Sequence, residues 1–137
     1  MKTMFQTFFL GLIAAAILFL PRFAYAADIQ MGSGGNLIFE PNEVSIDVGD
    51  TVTFTNGDLP PHNVVFLDND SLSHPDLSFV AGESFNVTFD EPGEYEFQCE
   101  PHAGAGMKGV IHVKWDLLLL LSFILNKGLL FLNKCAI

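Results

Sequence analysis

The sequence predicts an all-β protein, a two-sheet Greek-key sandwich, on three observations. Apolar and polar residues alternate in several short runs, the period of a half-buried strand. Those runs are bounded by clusters of Gly, Pro, Asn and Asp, which end strands and make turns. Between Ala27 and Trp115 no long amphipathic helix interrupts the pattern. Short strands with regular turn signals on one chain of this size are the pattern of a sandwich.

Taken in order, Met1 to Ala26 reads as an export signal. Lys2 gives a basic start, Phe8 to Leu20 runs thirteen residues without a polar side chain, and Ala24-Tyr25-Ala26 supplies a small-x-small cleavage pattern. The run is shorter than the ~20 residues that a spanning helix needs. One domain, residues 27–115, follows. In it Val44, Ile46 and Val48 face one way and Ser45 and Asp47 the other, before a turn at Gly49-Asp50. Val52 and Phe54 alternate with Thr51, Thr53 and Thr55; Phe85, Val87 and Phe89 alternate with Ser84, Asn86 and Thr88. Tyr95, Phe97 and Cys99 share a face opposite Glu94, Glu96 and Gln98. Ile111 and Val113 alternate with Val110, His112 and Lys114. Asp68 to Val80 carries the weakest pattern and reads as loop, with His74 in it as a solvated side chain; His112 faces outward in the same bland role. Residues 116–137 form an apolar tail broken by Asn126-Lys127-Gly128. Three readings of it stay open: a membrane tether, a helix packed on a partner, or translated sequence outside the functional protein.

The charge is uneven. Between Ala27 and Trp115 fifteen Asp and Glu stand against two basic residues, Lys108 and Lys114, a balance near −13 with histidines neutral. This disfavours nucleic acid and anionic membrane surfaces and favours a basic protein partner or simple solubility. Of the two cysteines, Cys99 sits among other donor residues and Cys135 in the separate tail, so no disulfide is expected.

The chemistry concentrates in Cys99-Glu100-Pro101-His102-Ala103-Gly104-Ala105-Gly106-Met107, which places a thiolate, an imidazole and a thioether within nine residues. A trigonal set of two imidazoles and one thiolate with a weak axial Met is the blue-copper donor set. His62, in Pro60-Pro61-His62-Asn63-Val64-Val65, is the candidate second imidazole. The parity of the Tyr95–Cys99 strand turns the thiol into the sandwich. The next turn swings His102 and Met107 back toward it, and His62 arrives from another loop at the same end. The predicted metal ligands are therefore His62, Cys99, His102 and Met107, for one copper cycling between Cu(I) and Cu(II).

The stretch Pro60-Pro61-His62-Asn63-Val64-Val65-Phe66, with Gly93-Glu94-Tyr95-Glu96-Phe97-Gln98-Cys99 through Met107-Lys108-Gly109, resembles the plastocyanin family, short cyanobacterial and algal forms in particular. The resemblance runs from about Asp28 to Lys114. It implies a cupredoxin-like fold and a soluble, monomeric one-electron carrier, not an enzyme, that takes electrons from cytochrome f and passes them to photosystem I. It implies a place in the thylakoid lumen, with membrane contact only through lumenal partners or the C-terminal tail; the periplasm is the alternative. No Arg- and Ser-rich transit region precedes the export signal, which fits a cyanobacterial gene better than a plastid precursor. Two other functions stay open: an exported blue copper protein that serves a non-photosynthetic reductase, and a copper-binding or delivery module. By the same resemblance Asn63 ties the two ligand loops and its backbone N–H bonds the Cys sulfur. Gly35, Leu37, Pro61, Pro101, Gly104 and Ala105 match an apolar docking patch around His102, and the family's small helix is reduced or missing within 68–80. Two positions depart from the pattern: Gln98 stands where the family usually has Tyr, and Ala103 where cyanobacterial forms often have Arg.

Overall fold

The alternation becomes two sheets packed face to face. The structure, a computed structural model, describes residues 26–59, 61–116 and 120–121. One sheet has the order β2-β1-β4-β7, built from β1 (Ala26–Met31), β2 (Phe39–Glu40), β4 (Thr51–Asn56) and β7 (Ser84–Thr88). The other has the order β3-β9-β8-β5-β6, built from β3 (Glu43–Asp47), β9 (Lys108–Lys114), β8 (Gly93–Gln98), β5 (His62–Phe66) and β6 (His74–Ser78). Each sheet contains one parallel pair, β1 with β4 and β3 with β9, among antiparallel neighbours. Both sheets are thus mixed, as crossing connections of a Greek key require.

The inward residues are those the alternation names. Val52 and Phe54 of β4 meet Val64, Phe66, Phe97 and Ile111 of the opposite sheet in one buried cluster. Aromatic rings dominate it. Phe54 meets Phe97 edge-on at 5.4 Å and Phe66 at 6.4 Å, while Phe39 meets Phe97 at 4.8 Å. Edge-to-face pairs add to the burial of the rings themselves.

Strand register gives the sandwich two distinct ends. Met31 pairs with Asn56, Gln98 with Lys108 and His62 with Ser78 at one end. At the other, Ala26 pairs with Thr51 and Gly93 with Val113, and the Val48 N–H donates to the Lys114 carbonyl. The loops 32–38, 79–83 and 99–107, with residues 57–59 and 61, therefore gather at the first end.

Three local readings are corrected. Asp68 to Val80 is not all loop, because His74–Ser78 forms the edge strand β6. Its pattern is hidden because Pro75, Asp76 and Leu77 are all exposed and only Ser78 is buried. His74 is accordingly half-buried, with its ring stacked 4.2 Å from Phe85. His112 is outward but not merely solvated, since its Nε2 lies 3.1 Å from Glu43 and its Nδ1 3.9 Å from Glu94 on the flanking strands. The segment before β6 holds a single 3-10 turn, Asp70–Leu72, so the small helix is reduced as expected. Strand β1 begins at Ala26, the last residue assigned to the export signal, and neither it nor β2 stood out in the alternation. The rest of that signal, most of the tail and Cys135 lie outside the described residues. Among the described residues no helix is long and apolar enough to cross a membrane.

Phe54 touches four other rings. Phe54→Ala is expected to lower the unfolding free energy by about 3–5 kcal/mol, read from denaturant titration. A loss below 1 kcal/mol would mean the ring cluster is not the centre of the core.

Candidate metal centre

His62 opens β5 at the loop-rich end and is fully buried. Its position is fixed from behind by the next residue. Asn63 Oδ1 accepts from the Glu100 N–H at 2.9 Å, and its Nδ2 donates to the Pro75 carbonyl at 2.9 Å and to the Glu100 carboxylate at 3.0 Å. One buried amide thus joins β5, β6 and the loop after Cys99, in the tying role that the resemblance implies.

The loop from Cys99 to Met107 is closed by its own backbone. The Cys99 N–H donates to the Met107 carbonyl, and the His102 N–H donates to the Cys99 carbonyl. The Met107 N–H donates to the His102 carbonyl, and Gly106, at φ 91°, ends the Glu100–Ala105 3-10 turn. That left-handed conformation carries little cost for Gly. The result returns Met107, fully buried, to the level of Cys99.

These constraints bring three donor atoms together. Cys99 Sγ lies 3.7 Å from His62 Nδ1 and 3.4 Å from His102 Nδ1, and the two Nδ1 atoms are 3.2 Å apart. A triangle with these edges has a point about 2 Å from every corner, which suits first-row metal bonds to imidazole and thiolate, ~2.0–2.3 Å for zinc. No proton can satisfy three such atoms at once, whereas one cation can. Among the described residues this is the one group of three His, Cys or carboxylate donors so arranged. Of the four predicted ligands, His62, Cys99 and His102 share the cluster directly. Met107 is held beside it by the loop's backbone bonds to Cys99 and His102.

The electrostatics favour a metal over a proton. Burial lowers the pKa of His62 below 6.5, and the neighbouring His102 lowers it further, against the Leu59 carbonyl that favours a proton on the ring. The ring therefore stays neutral, with a lone pair to give. Nε2 is buried without an acceptor in good geometry, and the Leu59 carbonyl is the backbone group that bears on the ring. Burial pushes the Cys99 thiol up; the backbone N–H groups of Asn63 and His102 pull it back in part, and Glu100 pushes it up again. A cation at the triangle supplies the charge that draws out the thiolate, so binding releases a proton.

Two supporting features were not legible beforehand. Gly32 stands against His62: a Cβ there would lie 2.3 Å from Nε2, and φ is +75°. Its neighbours Met31 and Ser33 give no hint of that contact. Leu59 matters through its carbonyl, which carries no side-chain signature. The expected patch residues lie on the surface, with Gly35, Pro101, Gly104 and Ala105 exposed and Leu37, Pro61 and His102 half-buried. With Nδ1 of His102 turned inward, the opposite edge of its ring is the part that reaches solvent.

Comparison with known proteins agrees with this geometry. Residues 26–114 match the family of copper-binding proteins of the plastocyanin/azurin type. The chloroplastic plastocyanin of Hordeum vulgare is 44% identical over 110 residues, 74% of this chain and 71% of its own. That of Tetradesmus obliquus is 43% identical over 111 residues, 74% of this chain and 77% of its own. Among solved structures, oxidized plastocyanin from Dryopteris crassirhizoma superposes with a TM-score of 0.58 at 31% identity, over 64% of this chain and all of its own. Amicyanin from Paracoccus versutus gives 0.55 at 27% identity, over 72% and 88%.

Gly32→Ala is expected to weaken copper binding by ~10–100-fold, as loss of other supporting contacts does, while far-ultraviolet circular dichroism keeps the β signature. Unchanged affinity would show that His62 has room the contact denies. The metal-free protein is also expected to lose stability as pH falls below 6.5, because the unfolded His62 takes up a proton there and the folded one resists it. Denaturation midpoints between pH 5 and 8 check this, with His62→Gln expected to flatten the slope.

Proposed function

The chain belongs to the plastocyanin/azurin family of copper-binding proteins, blue copper electron carriers of the cupredoxin fold, and we propose that His62, Cys99, His102 and Met107 hold its copper. The carrying observation is the triangle of Nδ1, Nδ1 and Sγ with a common point at metal-bond distance. Copper there supplies a reversible one-electron couple. The protein's own residues do the rest. Asn63 and the closed 99–107 loop hold the donors in one arrangement, so little has to move when the charge changes. The buried Cys99 and His62 exclude water. The outer edge of His102, ringed by Pro101, Gly104 and Ala105, is the way in and out for the electron. No bond in a substrate is made or broken.

We further propose cytochrome f as donor, photosystem I as acceptor and the thylakoid lumen as location. This rests on the chloroplastic plastocyanins to which the chain is similar and on the acidic domain, which suits a basic partner face. A delivery module would need a site that opens to exchange metal. Burial of Cys99 and His62 weighs against that reading.

Cys99→Ser is expected to abolish the intense red-region absorption of the copper-loaded protein, because the sulfur-to-copper charge transfer is its source. Met107→Leu should keep the colour and raise the potential, because the Met107 thioether, the weakest of the four donors, would tune the copper rather than create its colour. A Cys99→Ser protein that stayed blue would sink the assignment. In stopped-flow, reduction by a basic-faced cytochrome f should slow steeply between 0.01 and 0.1 M salt, as the Debye length falls from ~30 to ~10 Å. A salt-independent rate would confine the acidic surface to solubility.

A further inference from the structure

The tip between β6 and β7 is left unused by the function above. Phe79 and Val80 are 65% and 64% exposed, more than any other large apolar side chain among the described residues. A chain that needed only to turn there would take polar turn residues. The tip is also firmly held. Asn56, buried at the end of β4, donates from Nδ2 to the Ser78 carbonyl at 2.9 Å and to the Val80 carbonyl at 3.2 Å, gripping the backbone on both sides of Phe79. Its main chain adds the Gly82 N–H to the Asn56 carbonyl at 2.7 Å and the Asn56 N–H to the Glu83 carbonyl at 2.8 Å. The Glu83 N–H to the Val80 carbonyl at 3.1 Å closes the turn, with Gly82 at φ +83°. Exposed apolar surface that costs free energy in water, on a backbone that cannot fold it away, marks a contact site.

The tip's place in the fold says which contact. Ser78 is the register partner of His62. Asn56 is followed by Gly57, whose N–H bonds the Met31 carbonyl next to the Gly32 that abuts His62. The tip therefore stands at the metal end, with the loop that carries the exposed Leu59.

We propose that Phe79 and Val80 form a second apolar lobe of the docking face, covered by the same redox protein that meets the rim around His102. The occupant is a protein whose redox edge is apolar and rimmed by basic groups. The lobe itself is uncharged, Asp76 and Glu83 flank it in sequence, Asp58 stands beside Leu59 in the loop after β4, and the domain holds fifteen acidic against two basic residues. The inference rests on the electron-carrier reading. Because the lobe is neutral it acts after encounter, lengthening the life of the complex, and selects partners large enough to reach both it and His102.

The test uses the full copper-loaded chain and its Phe79→Ser/Val80→Ser variant, with Leu37→Ser as the comparison at the His102 rim. At 0.2 M salt the bimolecular rate of reduction by a basic-faced cytochrome f should fall about tenfold in the lobe variant, as when an apolar anchor is lost from an interface. Its optical spectrum and potential should match the parent, and the salt slope should not change. A rate unchanged by the lobe variant but lowered by Leu37→Ser would overturn the lobe and leave the docking face standing. If neither variant changed the rate, the docking reading itself would fall. A parent protein that sediments as a dimer and becomes monomeric in the lobe variant would assign the lobe to a second copy and overturn the proposal. So would lobe-dependent binding to neutral phosphatidylcholine vesicles.

Discussion

Three donor atoms forced together with one thiol proton too few to satisfy them all are the constraint on which the rest of the structure depends. Sγ and the two Nδ1 atoms stand within 3.7 Å of one another, in a place where His62 and Cys99 see no water. Left alone, such a cluster repels, and burial makes that repulsion stronger. It persists only where surrounding structure leaves the rings nowhere to go. Gly32 and the Leu59 carbonyl press on the far side of His62. Asn63 clamps the start of the Cys99 loop to β5 and β6, and the loop's own hydrogen bonds fix His102 against Cys99. The aromatic core below keeps the two sheets, and hence the loops, from sliding.

The same rigidity explains how one site can serve two oxidation states. Cu(I) and Cu(II) prefer different coordination, so a site that follows each preference must reorganise at every transfer. Donors drawn from β5 and from the loop after β8 are braced separately and meet only at the metal. Whether this frame strains the copper or suits the copper–thiolate bond is a question about bonding; in both cases the braces lower the movement required.

Much of this was legible in the sequence, and the limits have physical causes. Period-2 alternation works where one face of a strand is buried and the other wet, so β4, β7, β8 and β9 stand out. It fails for β6, an edge strand with three successive exposed residues, and for β2, only two residues long. It is blurred for β1, whose first residue, Ala26, falls in the stretch read from sequence as an export signal. The cluster of His62, Cys99 and His102 was legible because side-chain chemistry and spacing both speak for it, and Asn63 through its place beside His62. Gly32 and Leu59 were not, since one acts by lacking a side chain and the other through a carbonyl. The pairing of His74 with Phe85 joins edge strands of different sheets, a long-range contact on which local pattern is silent.

The two ends of the sandwich have a consequence for anything attached to this domain. Ala26 pairs beside Thr51, and the Lys114 carbonyl is bonded to Val48. Both ends of the sandwich itself thus lie opposite the copper site, a strand's length away, about 20 Å at ~3.3 Å per residue. A leader, a tail or an engineered linker starts from the insulated pole. Wiring this domain to an electrode at Ala26 or Lys114 would therefore put the length of the sandwich between metal and wire. A cysteine at the His102 end would shorten that distance.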